Sequence, residues 1–409
     1  MAGQARRYDG VVVGGGPAGL AAAVLLARGG LGVALIAPRK KEPEARTVAL
    51  MQPSIRLLET MAVWSRGFAA LAQPLRKLTL VDDTGNFFSA PRVTFTADEL
   101  GLEAFGWNIP LDHLVAEFTQ KAQDDGVEIL DGTVVNLSVS SELATLSLSG
   151  SSSIAGRIVI AADGRNSVIR QFAGIACDEW SYDQSALVAS FDHSASHQDV
   201  STEYLRPSGP LTTVPLPGCR SSLVWMDRPV CISRLMELPD EFFLRQLQAA
   251  MHGELGLLTD VGRRQAFPMR GLLASGFGAK RVVLVGEAAH LMPPIGAQGL
   301  NIGLRDAAMA AELVLDAANA GADIGGDDLV RAYAEFRKQD VLIRQGIVHT
   351  FNRSLLADFL PLSLARAAGV AMVERFGPLR RYIMRQGLGP SWHLPRVMHD
   401  SSRIKNLKS

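Results

Sequence analysis

Three short apolar segments of this chain each end in a glycine-containing turn, and together these turns limit the folds that the chain can adopt. Apolar runs of this kind are typical of buried parallel strands, whose carboxyl ends meet at one edge of a sheet. We therefore predict an α/β fold in which three strand ends gather around one large ligand that carries phosphate. The three pairs of segment and turn are Val11–Val13 with Gly14-Gly15-Gly16-Pro17-Ala18-Gly19, Ile158–Ala161 with Ala162-Asp163-Gly164-Arg165, and Val282–Val285 with Gly286-Glu287-Ala288-Ala289-His290.

The first turn lies in a βαβ unit. Tyr8–Val13 and Val33–Ala37 have the composition of buried strands, and Ala18–Arg28 between them favours a helix. In this context the first glycine of a dinucleotide-binding turn permits the tight bend, the second admits a pyrophosphate, and the third lets the helix pack closely. These three positions are occupied by Gly14, Gly16 and Gly19.

The end of the second strand leaves an alternative open. Ala37 stands where an acidic residue usually binds the adenosine ribose, and Arg39, Lys40 and Lys41 follow it. Taken alone, this pattern favours the 2′-phosphate of NADP. An NADP-dependent dehydrogenase is therefore the first alternative function.

The rest of the chain departs from a plain dinucleotide-binding dehydrogenase. Before the second turn we predict a helix and a β-meander, and after it an antiparallel sheet, a helix and then the third apolar segment. A long Ala-rich helix and further helices broken by Pro361, Gly377-Pro378 and Gly389-Pro390 end the chain. The predicted elements are the helix 111–124, strands 133–139 and 143–148, strands 186–191, 201–205, 211–215 and 221–226, and helices 241–252 and 300–320.

The second and third turns belong to longer motifs, IVIAADGRNSVIR at 158–170 and RVVLVGEAAHLMPPIGAQGLNIGLRD at 281–306. With GGGPAG they resemble the glutathione-reductase-type FAD fold of the flavin-dependent aromatic hydroxylases. The resemblance covers most of the chain. It implies a discontinuous FAD-binding, Rossmann-like domain (1–75, 95–180 and 270–345), an antiparallel-sheet substrate domain (76–94 and 181–269) and a C-terminal helical region (346–409).

The resemblance also implies which residues contact FAD. Asp163 and Gly164 would lie near the pyrophosphate and the approach of the nicotinamide, and Glu287 replaces the family's aspartate as acceptor for ribityl or ribose hydroxyls. The loop from Pro293 would lie beside the isoalloxazine ring, where backbone N–H groups at a helix N-terminus suit the negative charge of reduced flavin. The full predicted set is Gly14, Gly16, Gly19, Arg46, Asp163, Gly164, Gly286, Glu287, Pro293, Gly296, Gly299, Leu300 and Asn301.

Two residues in or near these motifs are not included in the predicted FAD-binding set. Asp112 stands where relatives often carry Arg or Gln toward the FAD phosphates, so one expected contact is missing. His290 follows an Ala-rich turn, and we interpret it as a packed hydrogen-bonding residue, not a catalytic base.

Further segments narrow the resemblance to the UbiH/VisC-type ubiquinone-biosynthesis hydroxylases, a branch of the group A flavin monooxygenases, in alphaproteobacterial form. These segments are ARTVAL, FGWNIPLDHL, TEYLRPSGPLTTVPLPG, SSLVW and HTFNRSLL. The branch implies hydroxylation of a polyprenylated phenol with NADH or NADPH and O2. Oxygen would add to the flavin 4a-carbon, and the hydroperoxide would deliver the hydroxyl group. A base that shares the phenol proton would help, and His193 and Tyr204, beside His197, are weak candidates.

Other functions stay open at this point. The flavin protein could hydroxylate another aromatic small molecule, or be a non-enzymatic FAD-binding accessory protein of the quinone pathway. FGWNIP also resembles the WxWxIP box of flavin halogenases, but it lacks the first tryptophan and lies much earlier in the chain.

Composition and charge concern partners and location. The formal net charge is zero, so we expect no nucleic-acid binding. Residues 346–409 carry ten Lys/Arg against three Asp/Glu, which is typical of a solvated helical surface and also suits a lipid surface or a complex of ubiquinone-biosynthesis enzymes. Three cysteines without CxxC spacing, no leader, no spanning segment and no metal motif favour a cytoplasmic protein, with peripheral contact at the inner membrane left open.

Overall fold

A computed structural model describes residues 5–38, 46–85, 91–150, 152–356, 376–388 and 394–399. Its strands are β1 Arg6–Val13, β2 Val33–Ile36, β3 Thr47–Met51, β4 Gln73–Leu75, β5 Lys77–Asp82, β6 Val93–Thr96, β7 Gly106–Pro110, β8 Glu128–Leu130, β9 Val134–Val139, β10 Ala144–Leu148, β11 Ser153–Ala161, β12 Cys177–His193, β13 Val200–Leu205, β14 Leu211–Leu216, β15 Arg220–Asp227, β16 Leu258–Val261, β17 Gln265–Ala274, β18 Gly278–Ala279, β19 Val282–Leu284 and β20 His290–Leu291.

The α-helices are α1 Pro17–Arg28, α2 Gln52–Thr60, α3 Arg66–Ala69, α4 Leu111–Asp124, α5 Val168–Phe172, α6 Pro229–Glu237, α7 Asp240–Ala250, α8 Gln298–Asn319, α9 Asp327–Leu356 and α10 Gly377–Leu388. Short 3-10 helices cover Ala97–Leu100, Gly286–Ala288 and Arg396–Met398. Among the described residues, none of the helices joins enough length with enough apolar character to cross a bilayer.

The first sheet gathers the three glycine turns. Its strands run in the order β18-β19-β11-β1-β2-β8, and β19, β11, β1 and β2 are parallel neighbours. The apolar residues of β1 and β11 are buried on both sides, as expected of strands covered by helices. Because β1, β11 and β19 are adjacent, their turns lie side by side at one edge of the sheet. The predicted α/β arrangement is confirmed.

The β-meander is also confirmed, since β9, β10 and β11 pair in antiparallel order. Its third strand is longer than the apolar pattern predicts. It begins at Ser153, and β1 pairs with it in parallel from Ile154 onward. On its other side its first half pairs with β10 and its second half with β19.

A second sheet, in the order β20-β17-β12-β15-β14-β13-β5-β6, holds the four strands predicted between residues 186 and 226. It is not wholly antiparallel, because β5 joins β13 in parallel. The strand β12 is 17 residues long and pairs with β17 from Cys177 onward. The predicted domain boundaries after residues 180 and 269 fall inside these two strands, so the chain passes between the sheets without linkers.

Side chains alternate between the two faces of the second sheet. Leu187, Tyr204 and Trp225 pack against apolar residues of α6 and α7, and we call this side the helix face. Ala186 and Met226 point the other way and belong to the core around the parallel sheet, so we call this side the inner face.

A small sheet, β3-β7-β4, lies over the inner face. The side-chain amide of Asn108 in β7 donates to Pro215 O at 2.9 Å and to Ser222 Oγ at 3.2 Å. These bonds attach the small sheet to β14 and β15 of the second sheet.

The helix α9 continues without a break through residue 346, the predicted start of the C-terminal region. Several sequence predictions concern residues outside the described ranges: the basic group Arg39, Lys40 and Lys41, and most of the apolar stretch from Ser354 to Phe376.

Candidate functional site

The turn after β1 is built for close backbone contact. Gly14 has φ +122°, and a Cβ there would lie 2.1 Å from the Ala162 carbonyl oxygen. A Cβ at Gly19 would lie 2.1 Å from the Gly14 carbonyl oxygen. Side chains at these positions are excluded by backbone, so these glycines seat α1 against the turn after β11.

Gly16 differs from its neighbours because no atom lies within 4 Å of the position its Cβ would take. It is the N-cap of α1, and no side chain caps that helix. The first backbone N–H groups of α1 therefore meet open space. A free helix N-terminus with room beside it fits a pyrophosphate.

Both carboxylate oxygens of Asp163, in the second turn, accept hydrogen bonds from other groups of the protein. Its Oδ1 accepts from Ser167 Oγ at 2.5 Å and its Oδ2 from the Ile169 backbone N–H at 3.2 Å. Burial raises the pKa of this carboxyl group. Gly164 takes φ +82° with open space around it. Asp163 thus shapes the turn, and Gly164 leaves room beside it.

Arg170, which the sequence analysis missed, joins the second turn to the third. Its buried guanidinium donates to Ala288 O at 2.8 Å and to Arg165 O at 2.9 Å. The only sequence signal was an arginine in a segment that is otherwise apolar.

The third turn packs tightly against α8. Gly286 has φ +60°, and a Cβ at Gly303 would lie 3.3 Å from the Gly286 Cα. The side chain of Ala18 completes this contact. Glu287 is exposed on the 3-10 helix, where its carboxylate is free to accept hydrogen bonds from a ligand.

The loop from Pro293 leads to a second open helix N-terminus. Pro293 is buried, Gly296 has φ +65°, and Ala297 takes a left-handed conformation as the N-cap of α8. No side chain caps this helix, and the Cβ position of Gly299 has no atom within 4 Å. The N–H groups of Gly299 and Leu300 suit an anion, as the sequence predicts.

The side chain of Asn301 positions this loop and does not face a ligand. Its Oδ1 accepts from the Met51 N–H at 2.9 Å and from Ser54 Oγ at 2.7 Å. Its Nδ2 donates to Ala49 O at 2.8 Å and to Ala297 O at 2.6 Å. Two of these bonds tie the start of α8 to β3, one ties it to α2, and the fourth lies within the loop itself.

Behind the loop lies a buried ionic network that the sequence analysis did not find. Asp306 accepts from the Gly286 N–H at 2.9 Å, from His290 Nε2 at 2.7 Å and from Arg337 Nε at 2.6 Å. Burial alone would raise the pKa of Asp306, but Arg337 and His290 outweigh it and lower that pKa. His290 is a buried hydrogen-bonding residue, which confirms its interpretation.

The network continues along α9. Asp340 binds Arg305 at 2.9 Å, Arg337 at 2.8 Å and Arg344 at 3.0 Å, and Arg344 donates to Gln298 Oε1 at 2.6 Å. Three guanidinium groups face two carboxylates, so the cluster keeps one excess positive charge close to the start of α8. Spacings of three and four residues between charges on α9 were the available sequence signal.

Arg46 and Asp112 lie at the same end of the antiparallel pair β3 and β7, where the Leu111 N–H donates to Arg46 O at 2.9 Å. Arg46, just before β3, stacks on the ring of Phe267 at 5.4 Å from the centroid. Asp112 lies in the first turn of α4. Arg46 thus borders the inner face of the second sheet.

The contacts of His193 and Tyr204 lie within the second sheet and on its helix face. His193 is buried near the far end of β12, where Nδ1 contacts Ala195 O at 2.8 Å and Nε2 contacts Ser221 Oγ at 3.0 Å. Burial lowers the pKa of His193. Tyr204 lies on the helix face, and burial raises the pKa of its hydroxyl group. This placement favours neither residue as a catalytic base.

The parallel sheet, the three adjacent turns and two uncapped helix N-termini define a flavin-binding protein of the glutathione-reductase type. The space at Gly16 fits the pyrophosphate, and the start of α8 fits an anionic ring. No group of three or more metal-binding side chains occurs in the described ranges. The family model for the FAD binding domain matches residues 7–341, and the chain belongs to this family, with FAD as its cofactor.

Similar proteins agree with this result. The chain is 32% identical to the ubiquinone hydroxylase UbiL of Rhodospirillum rubrum, over 93% of this chain and 89% of that protein. It is 31% identical to the 3-demethoxyubiquinol 3-hydroxylase of Escherichia coli, over 92% and 97%. The p-nitrophenol 4-monooxygenase PnpA of Pseudomonas putida DLL-E4 shares the fold, with a TM-score of 0.77, 19% identity and coverage of 95% and 100%.

These findings confirm the resemblance to the ubiquinone-biosynthesis hydroxylases. The protein is an FAD-dependent monooxygenase that uses NAD(P)H as reductant. The NADP-dependent dehydrogenase is thereby excluded.

Proposed function

We propose that this protein hydroxylates the aromatic ring of a polyprenylated phenol in ubiquinone biosynthesis. The similarity to the Rhodospirillum rubrum ubiquinone hydroxylase, which extends over 93% of the chain, is the observation that carries this proposal. In the overall reaction NAD(P)H supplies two electrons, one oxygen atom of O2 enters the ring and the other leaves as water.

The start of α1, the start of α8 and the small sheet would each have a role in this reaction. FAD, when bound and reduced, supplies the chemistry that activates O2. The N-terminus of α1 beside Gly16 would hold the pyrophosphate. The start of α8, with the positive excess behind it, would stabilise negative charge on the reduced ring system. The small sheet over the inner face would enclose the phenol and keep water out.

Purified protein supplied with 2-geranylphenol tests this function. We expect a yellow protein whose NADH or NADPH oxidation and O2 consumption rise when the phenol is added, with a hydroxylated product. Flavin absorbance without substrate-dependent O2 consumption would indicate an accessory protein instead. Equal turnover of phenol without a prenyl chain would indicate another aromatic substrate.

We further propose peripheral contact with the inner membrane, on the cytoplasmic side, through α10, where a prenylated substrate or a complex of pathway enzymes would be met. Phe376 is 58% exposed and Tyr382 61% exposed, and Arg381 and Arg385 are exposed beside them. Exposed aromatic and basic side chains together suit an anionic lipid surface.

Replacing Phe376 and Tyr382 with glutamate should weaken binding to vesicles of phosphatidylglycerol and phosphatidylethanolamine by about tenfold at low salt. The aromatic area that would be buried in the lipid is lost, and the new carboxylates oppose the attraction between the arginines and the anionic lipid. Vesicle flotation measures this. Phe242→Glu with Val230→Glu, which changes two exposed apolar residues elsewhere, is the matched control. Equal binding of both variants would exclude α10 as the contact.

A further inference from the structure

One row of side chains on the inner face of the second sheet is incompletely covered, although its member Val224 packs against the main hydrophobic core. The paired positions Leu80, Glu203, Thr212, Val224 and Val188 cross five neighbouring strands, β5, β13, β14, β15 and β12. All five are half-buried. Their strand neighbours on the helix face, such as Tyr204 and Leu211, are fully buried. A row that keeps exposed surface beneath another layer of protein borders a cleft.

The residues at the two ends of this cleft link it to the loop assigned to the flavin ring. At one end Asn108 of the small sheet is bonded to Ser222 and Pro215. At the other end Arg46 stacks on Phe267, which pairs with Ala186. Arg46 directly precedes β3, the strand that Asn301 ties to the start of α8. Both ends of the row are thus bordered by the small sheet or by the residue before it, and Asn301 links that sheet to the loop assigned to the flavin ring.

Glu203 is the one ionisable residue in this row. Within the described part of the chain it forms no hydrogen bond and no ion pair. Charged groups on the surrounding elements have other contacts: Asp82 of β5 accepts from Thr84, Arg46 stacks on Phe267, and Arg380 of α10 pairs with Glu99. A carboxylate left without a partner in a cleft has its acceptor oxygens directed at whatever occupies that cleft.

We infer that Glu203 is the catalytic base, accepting the hydroxyl proton of a phenolic ring bound on this row. The inference rests on the proposed function and adds a residue to it. Burial without a compensating charge raises the pKa of Glu203 to about 7. A base with a pKa near neutrality is ionised often enough to accept a proton and basic enough to hold it.

The proton transfer makes the ring reactive. The phenol O–H bond breaks, its proton moves to the Glu203 carboxylate, and its electron pair enters the ring. The ring carbon that gains electron density forms the new C–O bond with the oxygen atom that O2 and NAD(P)H supply through the cofactor. That carbon then loses its hydrogen as a proton, which leaves with the second oxygen atom of O2 as water, and the ring oxygen takes its proton back from Glu203. The ring is aromatic again and carries two hydroxyl groups where it had one.

Glu203→Gln keeps the shape of the side chain and removes the base. With 2-geranylphenol as substrate, kcat/KM of the wild type should rise as pH increases through about 7. The variant should show about 100-fold lower kcat/KM at pH 8 and no such rise, while its flavin absorbance is unchanged. Glu203→Asp should restore part of the rate and of the pH dependence. Glu237→Gln, on the exposed surface of α6, is the matched control and should behave as wild type.

Thermal unfolding gives a readout independent of turnover. A carboxyl group whose pKa is 4.5 when unfolded and about 7 when folded lowers stability as pH rises between these values. Glu203→Gln should therefore melt at the same temperature as wild type near pH 4.5 and at a higher temperature at pH 8.

The results separate the two proposals. Wild-type turnover with equal kcat/KM for Glu203→Gln across the pH range would overturn the inference alone, as would equal melting temperatures at pH 8. No turnover of 2-geranylphenol by the wild type would overturn the proposed function, and the inference with it.

Discussion

Gly16→Val should strip the protein of its flavin while leaving the fold intact. The new side chain meets no protein atom within 4 Å of its Cβ, so it does not disturb the core. It instead occupies the space at the start of α1 where the pyrophosphate binds. Losing charge-assisted hydrogen bonds of ~1.5–3 kcal/mol each should weaken FAD binding by about 100-fold or more. Absorbance near the flavin bands after gel filtration measures retained cofactor.

Far-UV circular dichroism of Gly16→Val should match the wild type. Gly67→Val is the matched control, because its Cβ would meet only Ser65 Oγ, at 4.0 Å, and the residue lies in α3. This control should stay yellow. Flavin retained by Gly16→Val would contradict the pyrophosphate assignment, whereas a colourless Gly67→Val would mean that any added valine disturbs the protein.

Asp306→Asn should destabilise the protein strongly. The substitution removes one of the two carboxylates that pair with Arg337, whose side chain is fully buried, so three buried guanidinium groups then share Asp340 alone. Breaking a buried pair in this way costs about 3–5 kcal/mol. We expect a lower denaturation midpoint in urea, and faster release of flavin because the Gly286 turn loses its acceptor.

Asp328→Asn provides the comparison for this change. Asp328 pairs with Arg331 on the exposed surface of the same helix that carries Arg337. Exposed pairs contribute little, so no measurable change is expected. If both variants unfolded at the wild-type midpoint, the buried network would not be a stabilising element.

The sequence was sufficient for the parallel sheet and its glycine turns. Apolar runs predict buried strands locally, and GGGPAG fixes the conformation of the turn that follows β1. The same local signals predicted the β-meander and the helix α4, whose bounds agree with the structure. The strand β12 is longer than predicted because Trp180 and Asp183 interrupt the apolar pattern on which the prediction was based. Its length depends on pairing with β17, which lies far along the chain.

The ionic network and the position of Glu203 could not be predicted from local sequence patterns. Asp306 and Arg337 are 31 residues apart and meet only because α8 packs on α9. The alternation around Glu203 shows that it faces away from Tyr204, but not what lies on either side. That depends on β5 joining β13, a parallel pairing between segments more than 100 residues apart.

The unbroken course of α9 has a consequence for how this chain can vary in length. Asp340 binds three arginines at one point of the helix, and His349 Nδ1 lies 3.0 Å from the Tyr182 hydroxyl further along. One inserted residue between them would rotate everything downstream by about 100° and advance it by about 1.5 Å. Both contacts could not then be kept, so insertions and deletions are tolerated in the loops around this helix and not within it.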